Sequence, residues 1–371
     1  MTGAVARFGW RVALTAGVLA LTGCNFFVPV TSGGGGGASS NLVYVMNALT
    51  NTVSGFAVGS NVLTSVPNMP YALGYTPQAA VVSASNTFLY VAGPGVINAY
   101  IIGTDGSLTV GATQAFVSVL AMDISPDGNW LFALDGSTTQ LDIFAVNKTS
   151  GALTGLTQVG YGVTTAVVPK MVKVSPDGTL IFAALGTYGD VVFTFNTSTG
   201  VAIKSQSLTF DPMKLTSDNA LAVDSAGTHL YIARTGDDFG LAVYTIGSAG
   251  FLTPVAGSPF AAGAQPLSVA VDGASKYVYV ANGNDGTVSG YSVTSGGVAT
   301  ALSGSPYASG ASTVSLTMDK SKTYLLAAAA GGSPDLTMYS FDATTLGKLN
   351  KVATAATGTD PAGAVLVVAT H

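Results

Sequence analysis

The feature that most constrains the fold of this chain of 371 residues is a sevenfold internal repeat. Each copy carries a short apolar segment with an aromatic or large apolar residue at its centre. The central residues lie 46, 42, 50, 49, 48 and 46 positions apart and are Tyr44, Tyr90, Phe132, Phe182, Tyr231, Tyr279 and Leu325. A nearly constant period of this length indicates repeated structural units that pack against their neighbours.

The same order of segments recurs within each copy. An apolar strand leads through a tight turn to the central segment, which is followed by a third, alternating strand and a short fourth strand. Residues 125–128 and 175–178 both read Ser-Pro-Asp-Gly, a turn in which proline presets φ and glycine accepts the left-handed position. Four strands at this period are typical of a propeller blade. The sequence therefore predicts an all-β fold over residues 41–371, a seven-bladed β-propeller of four-stranded antiparallel blades.

The C-terminal segment is predicted to complete the first blade. No innermost strand precedes Leu42, whereas the last residues form a strand-like segment without a partner. Residues 361–367 have the same form as residues 266–272, which lead into the sixth central segment. Pairing of the C-terminal strand with the N-terminal blade closes the propeller and removes an open edge that would invite other chains. We expect a monomer.

The N-terminal residues read as a targeting segment. Arg7 and Arg11 precede an apolar stretch that is too short for an ordinary membrane-spanning helix. Residues 21–24 read Leu-Thr-Gly-Cys and resemble the lipobox of bacterial lipoproteins, in which the cysteine becomes the lipidated first residue after cleavage. We expect a lipoprotein signal peptide over residues 1–23 and a lipid on Cys24, the single cysteine of the chain.

Residues 24–40 are rich in glycine and serine, and they are predicted to form a flexible tether with a reach of roughly 20 to 25 Å. The lipid on Cys24 would hold the protein at a membrane. We therefore expect an exported, membrane-anchored lipoprotein of the cell envelope. Asn25 after Cys24 is compatible with sorting to the outer membrane in organisms that use that rule.

Charge excludes a nucleic-acid-binding function. All 18 acidic residues are aspartates, and the chain has 13 lysines and arginines. Cleavage of the signal peptide would remove two arginines, which leaves 11 basic residues and a formal charge of −7. A protein that binds nucleic acid needs a basic stripe to neutralise phosphates, and this sequence has none.

Short motifs in the sixth repeat point to a family. Residues 279–282 read Tyr-Val-Ala-Asn, and residues 286–289 read Gly-Thr-Val-Ser. These repeats resemble the YVTN-type propellers and the lactonase-like propeller family, whose best-known activity is hydrolysis of 6-phosphogluconolactone. The resemblance covers residues 41–371 and implies a lactonase-type hydrolase that acts on a sugar lactone.

The sequence departs from the family at its chemical residues. A Pro-Arg-His run of the family is replaced by Pro-Lys-Met at residues 169–171, and Gly283 stands where the family often has glutamate. His229 lies in a tight turn and His371 is the last residue, so both are expected to be satisfied or solvated histidines. We therefore predict a binding head for a protein, glycan or small molecule, without clear catalytic machinery. The alternative is a lactonase-like hydrolase, and the sequence leaves open whether the protein is an enzyme.

A ligand site is expected on one face of the propeller. There, the loops that lead into the first strands and the loops that join second and third strands surround the central channel. The position after the proline of the innermost strand is occupied by Gln78, Leu120, Lys170, Asn219, Leu267, Val314 and Ala362. The polar residues of these loops are the ligand-binding candidates: Lys170, Arg234, Gln78, Asn219, Asp135, Asp190, Asp237 and Asn282. Turn formation by Asn and Asp is the alternative explanation of most of them.

Charged residues deeper in the channel have structural explanations. Asp123 and Lys173 occupy equivalent positions on adjacent innermost strands and are predicted to form an ion pair between blades. Three aspartates at the other end of these strands match serines of other copies, which favours turn capping over metal binding: Asp224, Asp272 and Asp319. No residue spacing indicates a metal site, and no cofactor is predicted.

Overall fold

The computed structural model describes residues 40–163, 167–211 and 213–371, with the side chains of residues 116 and 117 excepted. The predictions for the signal peptide, Cys24 and the tether lie outside these residues. The described chain is antiparallel β-structure with a 3-10 helix at Ser248–Gly250. Within the described ranges, no helix is long and apolar enough to cross a membrane.

The strands follow one another in seven groups along the chain, one group for each blade. Blades 1 to 3 contain β1 (Leu42–Asn47), β2 (Thr52–Gly59), β3 (Val62–Ser65) and β4 (Tyr71–Ala72), then β5 (Ala79–Val82), β6 (Phe88–Ile102) and β7 (Leu108–Ile124), then β8 (Trp130–Asp135), β9 (Gln140–Val146) and β10 (Leu153–Gly160). Blades 4 and 5 contain β11 (Met171–Val174), β12 (Leu180–Ala184), β13 (Asp190–Asn196) and β14 (Val201–Leu208), then β15 (Ser217–Val223), β16 (His229–Thr235), β17 (Gly240–Ile246) and β18 (Leu252–Pro254). Blades 6 and 7 contain β19 (Pro266–Val271), β20 (Tyr277–Asn282), β21 (Thr287–Val293), β22 (Ala299–Ala301) and β23 (Tyr307–Ala308), then β24 (Thr313–Met318), β25 (Tyr324–Ala329), β26 (Leu336–Phe341) and β27 (Leu349–Ala355).

Blades 2 and 3 share a strand. β6 pairs with β5 through Leu89–Ala92 and with β7 through Pro94–Ile102. The second half of β7 continues into blade 3, where it is the innermost strand and pairs with β8. The remaining sheets have four or five strands. These strands lie in chain order from the innermost strand outwards, except in blade 1, where the last strand of the chain is innermost.

The last strand, β28 (Ala364–Ala369), pairs antiparallel with β1. The C-terminal strand therefore supplies the innermost strand of blade 1, as the sequence predicts. Blade 7 also packs against blade 1, because Leu326 and Leu336 share a buried cluster with Val43 and Val45. The first and last blades are thus neighbours.

The structure corrects two registers. The alignment of residues 361–367 with residues 266–272 places Val365 opposite Tyr44. In the structure Val368 lies opposite Tyr44, so the C-terminal strand is shifted by three residues from that alignment. In blade 7, Leu326 rather than Leu325 occupies the central position. Leu326 lies opposite Thr317 on the innermost strand, just as the central residue of blade 6, Tyr279, lies opposite Ala270. Both segments are continuous apolar runs, and without alternation such runs do not specify which residue faces which side.

The central aromatic residues join consecutive blades. The hydroxyls of Tyr44, Tyr90 and Tyr279 donate to the carbonyl oxygens of Gly106, Gly151 and Gly347, at 2.8, 3.1 and 2.7 Å. Each glycine lies in the turn between the two outer strands of the next blade and has φ between 73 and 85°. The repeated tyrosine therefore fills the interface and satisfies a buried carbonyl of its neighbour.

The hydrophobic core is divided among the interfaces between blades. In the described residues, seven buried clusters each combine side chains from two neighbouring blades. In blades 3 and 4, for example, Phe132 and Phe193 belong to one cluster and are both fully buried. The compact unit that contains the described strands begins at residue 36. Because residues 36–371 carry this whole core, we expect them to fold on their own.

Side chains cap the turns between first and second strands, as the sequence predicts. Asp272 accepts hydrogen bonds from the backbone N–H groups of Lys276 and Tyr277, and Asp319 accepts one from that of Tyr324. Asp224 accepts hydrogen bonds from the backbone N–H and the hydroxyl of Thr228. In other blades a serine hydroxyl takes this place, as when Ser125 accepts from the N–H of Trp130 at 2.9 Å.

The tyrosine hydrogen bonds lead to a prediction for stability. We expect Tyr279→Phe to lower the free energy of unfolding by about 1 to 2 kcal/mol, because the buried Gly347 carbonyl loses its donor. Tyr231→Phe is the matched control, since Tyr231 holds the equivalent place in blade 5 and its hydroxyl makes no hydrogen bond within the described residues. Urea unfolding of both variants measures the difference. Equal decreases in the free energy of unfolding of the two variants would mean that the hydrogen bond contributes nothing to stability.

A buried carboxyl gives a prediction for pH dependence. Asp142 is fully buried and accepts a hydrogen bond from Gln158 at 2.8 Å. Burial, together with the charge of Asp135, raises the pKa of Asp142 to about 6. Between pH 4 and 6 the folded state therefore binds the proton more tightly than the unfolded state, so this residue makes the protein less stable as pH rises through that window.

We expect Asp142→Asn to remove this loss while keeping the acceptor for Gln158. The free energy of unfolding of the variant should equal that of the parent protein near pH 4 and exceed it by about 2 kcal/mol at pH 7.5. Urea unfolding at a series of pH values measures both curves. A variant that is less stable than the parent at pH 7.5 would show that the ionised carboxylate contributes favourably.

Candidate functional site

The innermost strands of all seven blades line one cavity of about 460 Å³. This volume lies in the range of small-molecule sites in proteins. The cavity runs from the residues that precede the innermost strands to those that follow them, and therefore extends along the central channel. We call its two ends the mouth and the far end.

A recurring β-bulge shapes the mouth. In five blades the pairing of the innermost strand skips one residue, and these residues are Leu120, Asn219, Leu267, Val314 and Val365. Gln78 and Lys170 hold the same place in the other two blades, where their N–H groups donate to Ala92 and Ala184. A bulge re-aims the side chain of the extra residue, and all seven residues line the cavity. This mouth ring matches the positions expected from sequence except that Val365 replaces Ala362.

Three residues of the mouth ring are polar, namely Gln78, Lys170 and Asn219, and all three line the cavity. Asn219 donates from Nδ2 to the Thr235 hydroxyl at 3.0 Å and to the Pro266 carbonyl at 3.1 Å. Lys170 and Gln78 are exposed at the mouth. The ammonium of Lys170 makes no hydrogen bond to any described residue, so it is free for an anion or a ligand oxygen.

The predicted ion pair between blades lies towards the far end. Lys173 Nζ is 3.1 Å from Asp123 Oδ2, and the same oxygen accepts a hydrogen bond from the N–H of Val174 at 2.9 Å. Lys322, from the turn between β24 and β25, lines the cavity nearby. Burial lowers the pKa of Lys322, and the positive charge of Lys173 lowers it further, against the opposing effect of Asp319.

His371 completes this end of the cavity, a position that the sequence did not predict for it. Its backbone N–H donates to Asn86 Oδ1 at 2.7 Å, and Asn86 donates back to the His371 carbonyl at 3.0 Å. The ring Nε2 lies 3.1 Å from the Val82 carbonyl oxygen. His371 is exposed to the channel, but desolvation of its ring lowers its pKa. The charges of Lys173 and Lys322 act in the same direction, and the Val82 hydrogen bond and the charge of Asp123 oppose them. We call Asp123, Lys173, Lys322 and His371 the far-end group.

The cavity differs in charge from the rest of the chain. Three lysine side chains and one aspartate side chain line it, so the lining side chains carry a formal charge of +2 when the His371 ring is neutral. The whole chain has a formal charge of −5. A positive channel inside an acidic protein attracts anions and groups that develop negative charge.

Arg234, a ligand-binding candidate from the sequence, is not among the residues that line this cavity. It is 7% exposed and forms a bidentate pair with Asp218 at 2.6 and 2.8 Å. The guanidinium also donates to the Tyr244 hydroxyl and stacks 5.0 Å from the ring centre of Phe210. Burial alone would lower the pKa of Arg234, but the hydrogen bonds and charge of Asp218 raise it. Its charge is therefore neutralised inside the protein.

Other candidates from the sequence are also interior or structural. Asp190 is buried beside Asp218, and burial and that neighbouring charge raise its pKa well above the ordinary value. Asp135 is buried and accepts hydrogen bonds from Ser137, whereas Asn282 donates to Thr287 and Ser289. Asp237 is exposed and accepts from the N–H of Leu215 at 3.0 Å. These four residues are not among those that line the cavity.

Sequence reasoning missed Lys322 and His371. Lys322 lies in a turn, where lysine is ordinarily a solvated residue. His371 follows a strand whose register was shifted by three residues on sequence, and the corrected register brings it to the cavity. Within the described ranges, no group of three or more His and Asp side chains is arranged to hold a metal ion.

Comparison with known protein families identifies one family. The family model described as lactonase, 7-bladed beta-propeller, matches residues 37–169 and 186–310. No curated protein matches the chain. A putative 6-phosphogluconolactonase from Bacteroides fragilis is 16% identical, with a TM-score of 0.74 and coverage of 90% of this chain and 98% of that one.

Two further solved structures have the same fold. A putative 6-phosphogluconolactonase from Bacteroides uniformis is 15% identical, with a TM-score of 0.74 and coverage of 89% and 99% of the two chains. The periplasmic gluconolactonase of Pseudomonas aeruginosa is 15% identical, with a TM-score of 0.71 and coverage of 90% and 99%. At these identities the structures establish the fold, and the family model covers more than half of the sequence. The chain therefore belongs to the lactonase family of seven-bladed β-propellers.

Proposed function

We propose that this propeller is a lactonase-type hydrolase and that its central cavity is the active site. The observation that carries the proposal is the cavity itself, which combines three lysines with a histidine of lowered pKa. Lactone hydrolysis passes through an oxyanion and yields a carboxylate, and nearby cations stabilise both. Membership of the lactonase family and the gluconolactonase names of two structural neighbours support the same reaction class.

His371 supplies the base in this proposal. The Val82 carbonyl accepts a hydrogen bond from Nε2, so the neutral ring carries its lone pair on Nδ1. The lowered pKa keeps the ring neutral at pH 7. Nδ1 takes a proton from water as the water oxygen bonds to the lactone carbonyl carbon. When the ring C–O bond breaks, the imidazolium returns that proton to the leaving oxygen, which gives a hydroxy acid.

Lysines stabilise the charges of this reaction. Lys322 and Lys173 flank the far end, where the carbonyl oxygen becomes an oxyanion. Asp123 holds Lys173 in place and offsets one positive charge. At the mouth, Lys170, Gln78 and Asn219 donate hydrogen bonds to oxygens of the entering lactone. Substrate binding and chemistry thus use opposite ends of one channel.

Kinetics with purified residues 36–371 tests this proposal. A pH-indicator assay with δ-gluconolactone, its 6-phosphate and aliphatic lactones measures turnover above spontaneous hydrolysis. We expect His371→Gln to lower kcat/KM about 100-fold and to abolish the fall of activity at acid pH that protonation of the base causes. Lys170→Met should lower kcat/KM about tenfold, because it removes one charge-assisted hydrogen bond.

Lys351→Met is the control, since Lys351 is exposed on β27, the outermost strand of blade 7. Its activity should equal that of the parent protein. A folded protein without turnover on any lactone of the panel would contradict the proposal. Turnover that His371→Gln leaves unchanged would instead mean that the base lies elsewhere.

We further propose that the protein is an exported lipoprotein held at a membrane by a lipid on Cys24. The lipobox-like residues 21–24 and the apolar segment before them support this proposal. In a Gram-negative host we expect radiolabelled palmitate to enter the full chain and the protein to sediment with membranes. Cys24→Ser should lose the label and the membrane association. A labelled Cys24→Ser variant would contradict lipid attachment at Cys24.

A further inference from the structure

Five exposed apolar side chains surround one side of the channel mouth. Their exposed fractions range from 41 to 89%, and they are Val168, Tyr188, Met213, Leu215 and Phe239. All five lie in loops of blades 4 and 5, either before an innermost strand or between the second and third strands. Grouped exposed apolar residues mark a binding surface, whereas single ones are ordinary. We call these five residues the apolar rim.

Contacts between the loops hold the apolar rim together. A Cβ placed on Gly186 would lie 3.4 Å from the carbonyl oxygen of Val168 and 3.5 Å from Ser217 Oγ, so the loop before β11, the turn after β12 and the first residue of β15 meet there. Gly186 begins the turn that contains Tyr188. The N–H of Leu215 donates to Asp237, and Lys214 pairs with Asp238 at 2.8 Å, immediately before Phe239. The rim is therefore one surface that spans two blades.

The apolar rim adjoins the cationic side of the mouth. The same Cβ position on Gly186 lies 3.3 Å from Lys170 Cε, next to the Val168 loop. Lys214, the other lysine of the rim loops, is paired with Asp238. Lys170 is thus the cation that an incoming ligand meets beside an apolar surface. A ligand that fits both has a polar, oxygen-rich head and an aliphatic tail.

The position at which the described chain begins argues against a membrane as the ligand of the apolar rim. Asn41 donates to Asp319 at 2.5 Å, and Asp319 follows β24 at the far end of the channel. The chain therefore enters the propeller on the face opposite the apolar rim. The apolar rim therefore lies at the end of the propeller opposite to the point at which the described chain begins.

We propose that the apolar rim binds the alkyl chain of the substrate, so that this hydrolase acts on lactones with a long aliphatic substituent. This inference rests on the lactonase proposal for the reaction but concerns a different surface. The lactone ring enters the channel past Lys170, and the alkyl chain extends back across the mouth onto the rim. Burial of apolar chain against the rim lowers KM for long-chain lactones.

A series of γ-lactones from γ-valerolactone to γ-dodecalactone tests the inference with residues 36–371. We expect KM to fall about tenfold along the series at nearly constant kcat, because each buried methylene contributes a fraction of its full transfer free energy. Isothermal titration with 4-hydroxydodecanoate and 4-hydroxypentanoate measures the same preference without turnover.

The double variant Met213→Ser and Phe239→Ser removes two exposed rim side chains. It should abolish both the lower KM of the long-chain lactones and the tighter binding of 4-hydroxydodecanoate, and it should leave γ-valerolactone kinetics unchanged. Phe251→Ser is the matched control, since Phe251 is 56% exposed, comparable to the 50% of Phe239, but follows the 3-10 helix at the opposite end of blade 5. The control should keep the long-chain preference. Thermal unfolding checks that both variants are folded.

The two proposals fail in different ways. Long-chain binding that the double variant weakens, with no turnover of any lactone, would support the rim and contradict the hydrolase. Turnover without a chain-length preference would overturn the rim proposal and leave the hydrolase. Flotation of the parent protein with phosphatidylglycerol vesicles, lost in the double variant, would also overturn it, since the rim would then bind lipid surfaces.

Discussion

The structure depends on packing between neighbouring blades. No blade encloses a core alone, because each buried cluster of the described chain draws its side chains from two blades. The tyrosine at the centre of the repeat adds a hydrogen bond to the turn of the next blade. Pairing of β28 with β1 makes the last blade a neighbour of the first. Such mutual dependence explains how a chain without a disulfide maintains a rigid ring of strands around a channel.

The same dependence builds the channel wall. Each innermost strand presents one edge without a partner strand, and side chains of the preceding blade bond part of it. Ser268 accepts from the N–H of Leu316 at 3.0 Å, and Ser315 accepts from that of Val367 at 3.1 Å. Asp123 does the same for Val174 while it holds Lys173. One of the residues that close the wall, Asp123, therefore also positions a charge of the far end.

Much of this organisation could be predicted from the sequence because it repeats. The period identifies the blades, and equivalence of positions on adjacent strands predicts the pair of Asp123 and Lys173. The position of Lys170 at the mouth follows from the same equivalence. Arg234 could not be placed, because its partner Asp218 lies beside the bulge at Asn219, and the bulge decides which way the neighbouring side chains point. His371 was missed since an apolar strand with no alternation does not reveal its own register.

The central claim is that His371 is a neutral base inside a ligand-binding channel. The chain has two histidines, so proton NMR resolves their ring signals and His371→Gln assigns them. We predict that His371 titrates below the ordinary histidine value in the free protein and at higher pH when a hydroxy acid occupies the channel, because the bound carboxylate favours the protonated ring. Titration of His371 at the ordinary value, unchanged by saturating hydroxy acid, would contradict the claim.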